Sequence, residues 1–364
     1  MKRVPSMSAN WGKNLQLSIF GESHGPAVGI SIAGLPPGLS LDLAEIGREM
    51  ARRAPGKSPL ATARSEADTP EILSGLYMGR TSGAPLCAVI ASGDTRSQDY
   101  ESRPDLVRPG HGDYPGAVRY RGFNDPRGGG HFSGRLTAPI VFAGAVCKQI
   151  LAARGVYIGA HILRVGTAED ALFDPLGTGV DAALLRALSE QELPVLDESR
   201  REPMRRCILE AKTEGDSVGG EVECVILGLD AGVGEPFFDS VVSIPGVKGV
   251  EFGLGFAHAR SKGSQCNDAY RFANGAVVTE TNRCGGVAGG LTTGMPVVFR
   301  AAMRPTPSIG LPQRTVSLAR GEDAELRLTG RHDPCIVPRA LPVVEAMAAI
   351  GILELIKERE ACEA

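Results

Sequence analysis

Residues 137–154 are apolar almost all the way round a helical period, with Pro139 near the start of the run and Gly155 just after its end. A helix without a polar face has to be covered on several sides, so the rest of the chain must supply enough sheet or helix to enclose it. Strand candidates are available. Residues 71–77 and 84–92 are short apolar runs separated by Met78-Gly79-Arg80-Thr81-Ser82-Gly83, the pattern of an antiparallel hairpin with a longer turn. Residues 28–33, 156–165, 221–228 and 296–303 read the same way.

Residues 42–53 read as a helix, because Asp42 with Glu45 approximates a capping box, Leu43, Ile46 and Met50 share a face, and Pro55-Gly56 stops it. Further helices are expected over 183–191, 198–213 and 341–359. Strands and helices mix without the regular alternation of a parallel sheet, so the expected fold class is α+β, with antiparallel sheets packed on central helices. No fixed-period repeat and no proline- or serine-rich linker marks a boundary. The expected organisation is one domain over 1–364, with flexible ends near 1–10 and 358–364.

With 43% hydrophobic and 22% charged residues the composition is that of a globular protein. A formal charge of -3 provides no long-range field for nucleic acid or an anionic membrane, so anion binding has to come from local clusters. Of 39 basic residues only eight are lysine and 31 are arginine, a bias toward planar forks that grip phosphate and carboxylate in pairs of hydrogen bonds. The eight cysteines form no Cys-x-x-Cys pair and read as free buried thiols in a reducing compartment. The first eleven residues lack a signal-like apolar core, and no uninterrupted apolar stretch reaches the roughly 18 residues of a membrane span. A cytoplasmic protein is expected.

Four of the six histidines lie in glycine-rich loops. His24 sits in Gly21-Glu22-Ser23-His24-Gly25, directly after an apolar run, where flanking glycines let backbone approach a ligand and the imidazole can act as a general acid. His111 lies in Arg108-Pro109-Gly110-His111-Gly112-Asp113-Tyr114, three residues from a fixed positive charge, a pairing suited to phosphate departure: arginine holds the anion and the imidazole protonates the leaving oxygen. Gly128-Gly129-Gly130-His131-Phe132-Ser133-Gly134-Arg135 precedes the apolar helix, so amides there can point at an anion, although the P-loop lysine and the dinucleotide spacing are missing. Cys284-Gly285-Gly286-Val287-Ala288-Gly289-Gly290 and Arg304-Pro305-Thr306-Pro307-Ser308 repeat the theme of backbone approach, hydroxyls and arginine. Gly330-Arg331-His332-Asp333-Pro334-Cys335 adds a carboxylate that can serve as a base, a cap or an ion-pair partner. His161 and His258 stand in apolar or mixed surroundings and are expected to be structural. No spacing matches a zinc or calcium site, so no metal is expected.

In this order along the chain, from near residue 15 to near residue 355, these segments resemble chorismate synthase, together with Arg96-Ser97-Gln98-Asp99-Tyr100 and Val247-Lys248-Gly249-Val250-Glu251. The resemblance implies a lyase of the shikimate pathway, which makes the precursor of the aromatic amino acids. Its reaction is the trans-1,4-elimination of phosphate from 5-enolpyruvylshikimate 3-phosphate to give chorismate, with reduced FMN and no net oxidation. It also implies a homotetramer with a β-α-β sandwich subunit.

By the same resemblance Arg53, Arg108, Arg135 and Arg331 lie on the substrate side. His111 would protonate the departing phosphate, His24 would serve the charge state of the reduced flavin, and Asp333 would assist proton removal through the flavin's reactive nitrogen. Flavin contacts carry over to His131, Phe132, Ser133, Pro245, Gly246, Gly289, Arg304, Pro305, Thr306, Pro307, Ser308 and Arg331. The chain departs from the family pattern at His131-Phe132, where many members have an arginine and a small residue, at Leu136 in place of glutamate, at Pro59 in place of a second arginine, and at Pro307 in place of serine.

Two sources of reducing equivalents are compatible with the resemblance, NADPH used by the protein itself and an external reductant. The competing readings are another phosphate-processing flavoenzyme on the same scaffold, which would bind FMN yet release no phosphate from this substrate, and an RNA-binding module. Negative net charge and 5% aromatic content weigh against the latter. Neither nucleic acid nor membrane is an expected partner.

Overall fold

The computed structural model describes residues 9–56, 58, 60–62, 66–93, 105–234, 238–273, 275–328 and 332–363. The expected site residue Arg331, the departure at Pro59 and the segment Arg96 to Tyr100 lie outside them. The chain forms two compact units, residues 1–143, 209–217 and 306–335 in the first and residues 144–208, 218–305 and 336–364 in the second. It changes unit after residues 143, 208, 217, 305 and 335, which leaves no single linker for composition to mark.

The fold class is α+β, and every strand pairing among the described residues is antiparallel. The first unit holds a five-stranded sheet in the order Asn10–Trp11, Gln16–Gly21, Ala27–Ala33, Leu86–Ala91, Pro70–Ser74. The hairpin expected over 71–92 is present with Glu71 opposite Val89, and an irregularity between Ile72 and Ser74 separates it from a two-stranded tip, Leu76–Tyr77 on Arg80–Thr81. Alternation sets the buried face: Val28, Ile30 and Ile32 are buried, as are Leu86, Ala88 and Ile90 beside them.

The helix Leu43–Arg53 starts where the sequence places it, with Asp42 Oδ1 accepting from the amides of Ala44 and Glu45 at 2.9 Å each. Ile46, Met50 and Arg53 turn inward. The carboxyl end of this amphipathic helix therefore delivers an arginine to the interior.

The second unit holds the other five-stranded sheet, in the order Val247–Phe252, Val297–Met303, Gly220–Leu227, Tyr157–Val165, Ala168–Glu169. The helices Thr137–Ala152 and Val337–Glu363 approach so closely that a Cβ on Gly144 would lie 2.2 Å from Ala346 Cβ. Only two small residues permit that contact. Val146, Leu151, Ile350 and Ile352 are fully buried, and each such aliphatic side chain contributes about 1.5–3 kcal/mol relative to exposure. Glu345, buried in this core, is matched by Lys148 and by the Ala160 amide, which donates to Oε1 at 3.0 Å.

The second of these helices begins at Val337, four residues before the expected start, with Pro342 inside it. Pro342 costs one backbone hydrogen bond, and the burial of nearly every residue from Val337 to Leu355 outweighs that cost. By length and mean hydropathy alone the helical stretch Gly134–Ala152 could cross a membrane, although Arg135 and Lys148 interrupt its apolar run. It is 78% buried within the protein, as a core helix is.

All eight cysteines are free, but only Cys147, Cys224 and Cys335 are buried, and Cys362 is exposed. Burial pushes the Cys147 thiol up to about 12 and Cys224 well above its usual range, so both are inert.

Candidate active site

The first unit gathers three of the sequence-distant loops. Gly21, at φ 99°, ends the strand Gln16–Gly21 in a turn so tight that a Cβ there would lie 2.4 Å from the Ala27 carbonyl oxygen. The turn is stitched to the glycine run: the Ser23 amide donates to the Gly130 carbonyl at 3.1 Å, and His131 Nδ1 donates to the Gly21 carbonyl at 3.0 Å. A carbonyl only accepts, so the proton on His131 is at Nδ1.

Gly128, Gly129 and Gly130 all have positive φ, at 60°, 87° and 51°. At Gly128 a Cβ would stand 2.4 Å from His24 Cδ2, and at Gly129 one would stand 2.5 Å from His111 Cε1 and 3.0 Å from Arg108 Nη2. The glycines are therefore required twice, for backbone conformation and for the space the two imidazoles occupy.

Arg108, His111 and Asp113 form one cluster. The Asp113 carboxylate accepts from Arg108 Nε at 2.7 Å on Oδ2 and from Arg108 Nη2 at 2.8 Å on Oδ1, and its Oδ1 lies 2.6 Å from His111 Nδ1. The Arg108 backbone amide adds a fourth hydrogen bond at 3.0 Å. Burial opposes ionisation of Asp113, but the hydrogen bonds from Arg108 and His111 prevail and hold it far below the usual carboxylate range. An ionised carboxylate can only accept, which makes His111 Nδ1 the donor. The 3.1 Å approach of Arg108 Nη2 to the same Nδ1 is then two donors converging on one oxygen.

Asp113 opens a short helix, Asp113–Tyr120, whose underside is packed by Phe132. A Cβ on Gly112 would lie 3.0 Å from Phe132 Cβ, one on Gly116 would lie 2.5 Å from Phe132 Cε2, and the Tyr120 and Phe132 rings stand 6.1 Å apart. Phe132, expected at the flavin, buttresses the helix that carries Asp113.

Arg108 Nη1 also reaches Ser308 Oγ at 3.4 Å. In the same segment the carbonyls of Thr306 and Pro307 are held by Ser217 Oγ at 2.7 Å and Gln313 Nε2 at 3.2 Å. Asp333 Oδ1 accepts from the Thr62 amide at 2.9 Å, which anchors that carboxylate on the 58–62 turn.

Arg53 and Arg135 are both buried and converge on Asp68, Arg53 through Nη1 to Oδ2 at 2.5 Å and Arg135 through Nη1 to Oδ1. Arg53 also donates to Thr137 Oγ1 at 3.1 Å and to the Gly134 carbonyl at 3.0 Å. Arg135 donates to the Ala91 carbonyl at 2.9 Å and pairs with Glu66 at 2.7 Å. Burial of Asp68 raises its pKa, yet the two guanidinium charges outweigh that and bring it below its ordinary value. The structure thus pairs both expected substrate arginines with protein carboxylates, a pairing with Glu66 and Asp68 that sequence reading missed.

Five further expected contacts, Pro245, Gly246, Gly289, Arg304 and Pro305, lie in the second unit. Gly246, at φ 98°, accepts from the Arg304 amide at 3.0 Å, which brings Pro245, Gly246, Arg304 and Pro305 to one strand end. Gly289 turns the hairpin Val287–Ala288 on Leu291–Thr292 at φ 61°. His161 is buried between Asp170, 3.1 Å from Nδ1, and Glu223, 3.0 Å from Nε2. A cavity of about 500 Å³ in this unit is lined by Phe173, Glu223, Asn282, Arg283 and Arg300, and none of the expected site residues borders it.

The family model described as chorismate synthase matches residues 15–356. A chorismate synthase from Thermococcus kodakarensis is 46% identical over 360 residues, covering 97% of this chain and 98% of the relative. One from Dehalococcoides mccartyi is 41% identical over 363 residues, covering 96% of each. A solved structure described as the crystal structure of chorismate synthase superposes with a TM-score of 0.76 at 29% identity, over 96% of this chain and 93% of that one. With near-complete coverage in all three comparisons, and with the two glycine-loop histidines and the arginine of the matched motifs brought to one glycine run, the chain belongs to the chorismate synthase family.

Proposed function

We propose that the chain carries out the family's lyase reaction, phosphate elimination from 5-enolpyruvylshikimate 3-phosphate to chorismate, at the cluster of His24, Arg108 and His111 around Gly128–Gly130. One observation carries the reading: a fixed guanidinium and an imidazole lie against the same glycine, as departure of a phosphate requires. Arg108 orients the anion, and the C–O bond breaks with its electron pair going to the phosphate oxygen. That oxygen takes the Nε2 proton of the His111 imidazolium, whose Nδ1–H stays on Asp113. Asp333, anchored beside Thr62, is the carboxylate assigned to proton removal. Arg53, Arg135 and Arg331 complete the neutralisation of a trianionic substrate, and for the first two this requires sharing their forks with Glu66 and Asp68.

The residues present fit a flavin phosphate and its hydroxyls. Ser308 Oγ lies at Arg108, Thr306 Oγ1 is a buried hydroxyl with no hydrogen-bond partner among the described residues, and the triglycine offers backbone without Cβ atoms in the way. His131, Phe132, Ser133 and Thr306–Ser308 are the residues of the first unit that would hold it. Reduced FMN, when bound, supplies the electron density that makes the elimination feasible. His24, which packs on Gly128, is the residue we assign to its charge state. A cytoplasmic homotetramer, acting on a small molecule without nucleic acid or membrane, completes the proposal.

The test is an anaerobic assay with dithionite-reduced FMN and the enolpyruvyl substrate, scoring phosphate and chorismate together. Equal release of both is expected. Flavin binding with neither product would point to another phosphate-processing flavoenzyme. Replacing dithionite by NADPH and oxidised FMN tells whether the chain reduces its own cofactor.

A further inference from the structure

Resting on that reading, we propose that Asp113 is a positioning residue for the elimination. By holding His111 Nδ1–H and the Arg108 fork on one carboxylate, it makes Nε2 the nitrogen that gains the second, transferable proton when the ring is an imidazolium, and keeps that nitrogen in register with the guanidinium that takes the anion.

The geometry supports each half of the statement. Oδ2 serves Arg108 through Nε and the backbone amide, while Oδ1 serves Arg108 Nη2 and His111 Nδ1. All four are donors, so a carboxylate, with acceptor sites on both oxygens, satisfies them and a neutral amide does not. The ring edge left over, Cε1 and Nε2, is the edge that lies against Gly129, 2.5 and 2.9 Å from where a Cβ would be. Asp113 itself is held firmly. It is the first residue of the helix Asp113–Tyr120, and Phe132 fills the space under Gly112 and Gly116. The general logic is that of any catalytic imidazole whose second nitrogen is oriented by an acid.

Asp113→Asn separates the roles. An asparagine can keep its oxygen toward Arg108 Nε and the amide, but its NH₂ then faces His111 Nδ1 and forces that nitrogen to accept, which moves the neutral ring's proton to Nε2 and opposes the imidazolium that acts as the acid. The experiment is ¹⁵N-histidine NMR of the full chain without substrate, with the His111 signals assigned by their loss in His111→Gln, alongside kcat and KM. In the unmodified protein the neutral His111 ring is expected as the Nδ1–H tautomer. In Asp113→Asn it becomes Nε2–H, kcat falls by about 10²-fold, and KM moves by less than tenfold. Asp113→Glu, which restores a carboxylate, retains Nδ1–H and recovers at least tenfold of the lost kcat.

An Nε2–H tautomer in the unmodified protein overturns the proposal, as does an Asp113→Asn enzyme with unaltered kcat. So does a loss that appears wholly in KM. Because the tautomer is read without substrate, it stands or falls separately from the assigned reaction. Should Asp113→Asn fail to fold, the unmodified protein and Asp113→Glu still decide the question.

Discussion

His24 and His111, from loops far apart in the sequence, rest against adjacent residues of one glycine run, Gly128 and Gly129. The arrangement makes the spacing of two imidazoles depend on three residues that have no side chains. Anything that displaces the run moves both rings together.

Gly129→Ala is therefore expected to reduce turnover at least tenfold. The new methyl meets His111 Cε1 at 2.5 Å, and a positive φ of 87° adds roughly 1–2 kcal/mol of strain. Gly155→Ala is the control, since its φ of 77° carries a similar backbone cost but its Cβ would enter open space. It should lose stability in urea unfolding and keep its turnover. Equal losses of turnover in the two variants would mean that strain, and not the ring contact, is responsible.

Asp68→Asn removes the carboxylate shared by Arg53 and Arg135 and leaves two buried guanidiniums short of a counter-charge. Breaking a buried ion pair from one side costs about 3–5 kcal/mol, which denaturant unfolding measures directly. Asp68 has a depressed pKa, so its contribution is present above the unfolded value of about 3.8 and is lost as pH falls through the lower folded value. The variant should accordingly converge on the unmodified protein in strong acid. A constant gap from neutral to acid pH would show that the carboxylate's charge is not what stabilises.

His161 gives the opposite sign. Burial works to lower its pKa, but hydrogen bonds and charge from Asp170 and Glu223 more than compensate and raise it. Its ionic contribution is complete below the unfolded value of about 6.5 and is lost as pH rises through the raised folded one. The thermal-stability gap between the protein and His161→Asn should be widest at mildly acidic pH and narrow toward alkaline pH. A gap that widens with pH would contradict the assignment of charge to this buried ring.

Much of the fold was legible because its signals are local. Asp42 caps its helix with its own carboxylate, and the alternation of Val28, Ile30 and Ile32 marks a half-buried strand before any partner is known. The helix Asp113–Tyr120 was not among the expected elements: Gly112, Pro115 and Gly116 carry low helix propensity, although a proline in a first turn costs no intrahelical hydrogen bond. The site shows the same division. His24, His111 and the triglycine announce themselves by composition, and the spacing of Arg108, His111 and Asp113 held the third member of that cluster in plain view. The pairing of Arg53 and Arg135 with Asp68 and Glu66 depends on tertiary approach, and so does the packing of Phe132 against Gly112 and Gly116.

Single-turnover rapid quench of His111→Ala, with reduced FMN and substrate in anaerobic conditions, bears most directly on the claim that phosphate leaves at Arg108 and His111. Phosphate release should slow by about 10²-fold or more while substrate is still bound, the scale expected when a general acid is removed. Release at the unmodified rate would place the departing phosphate elsewhere and contradict the account.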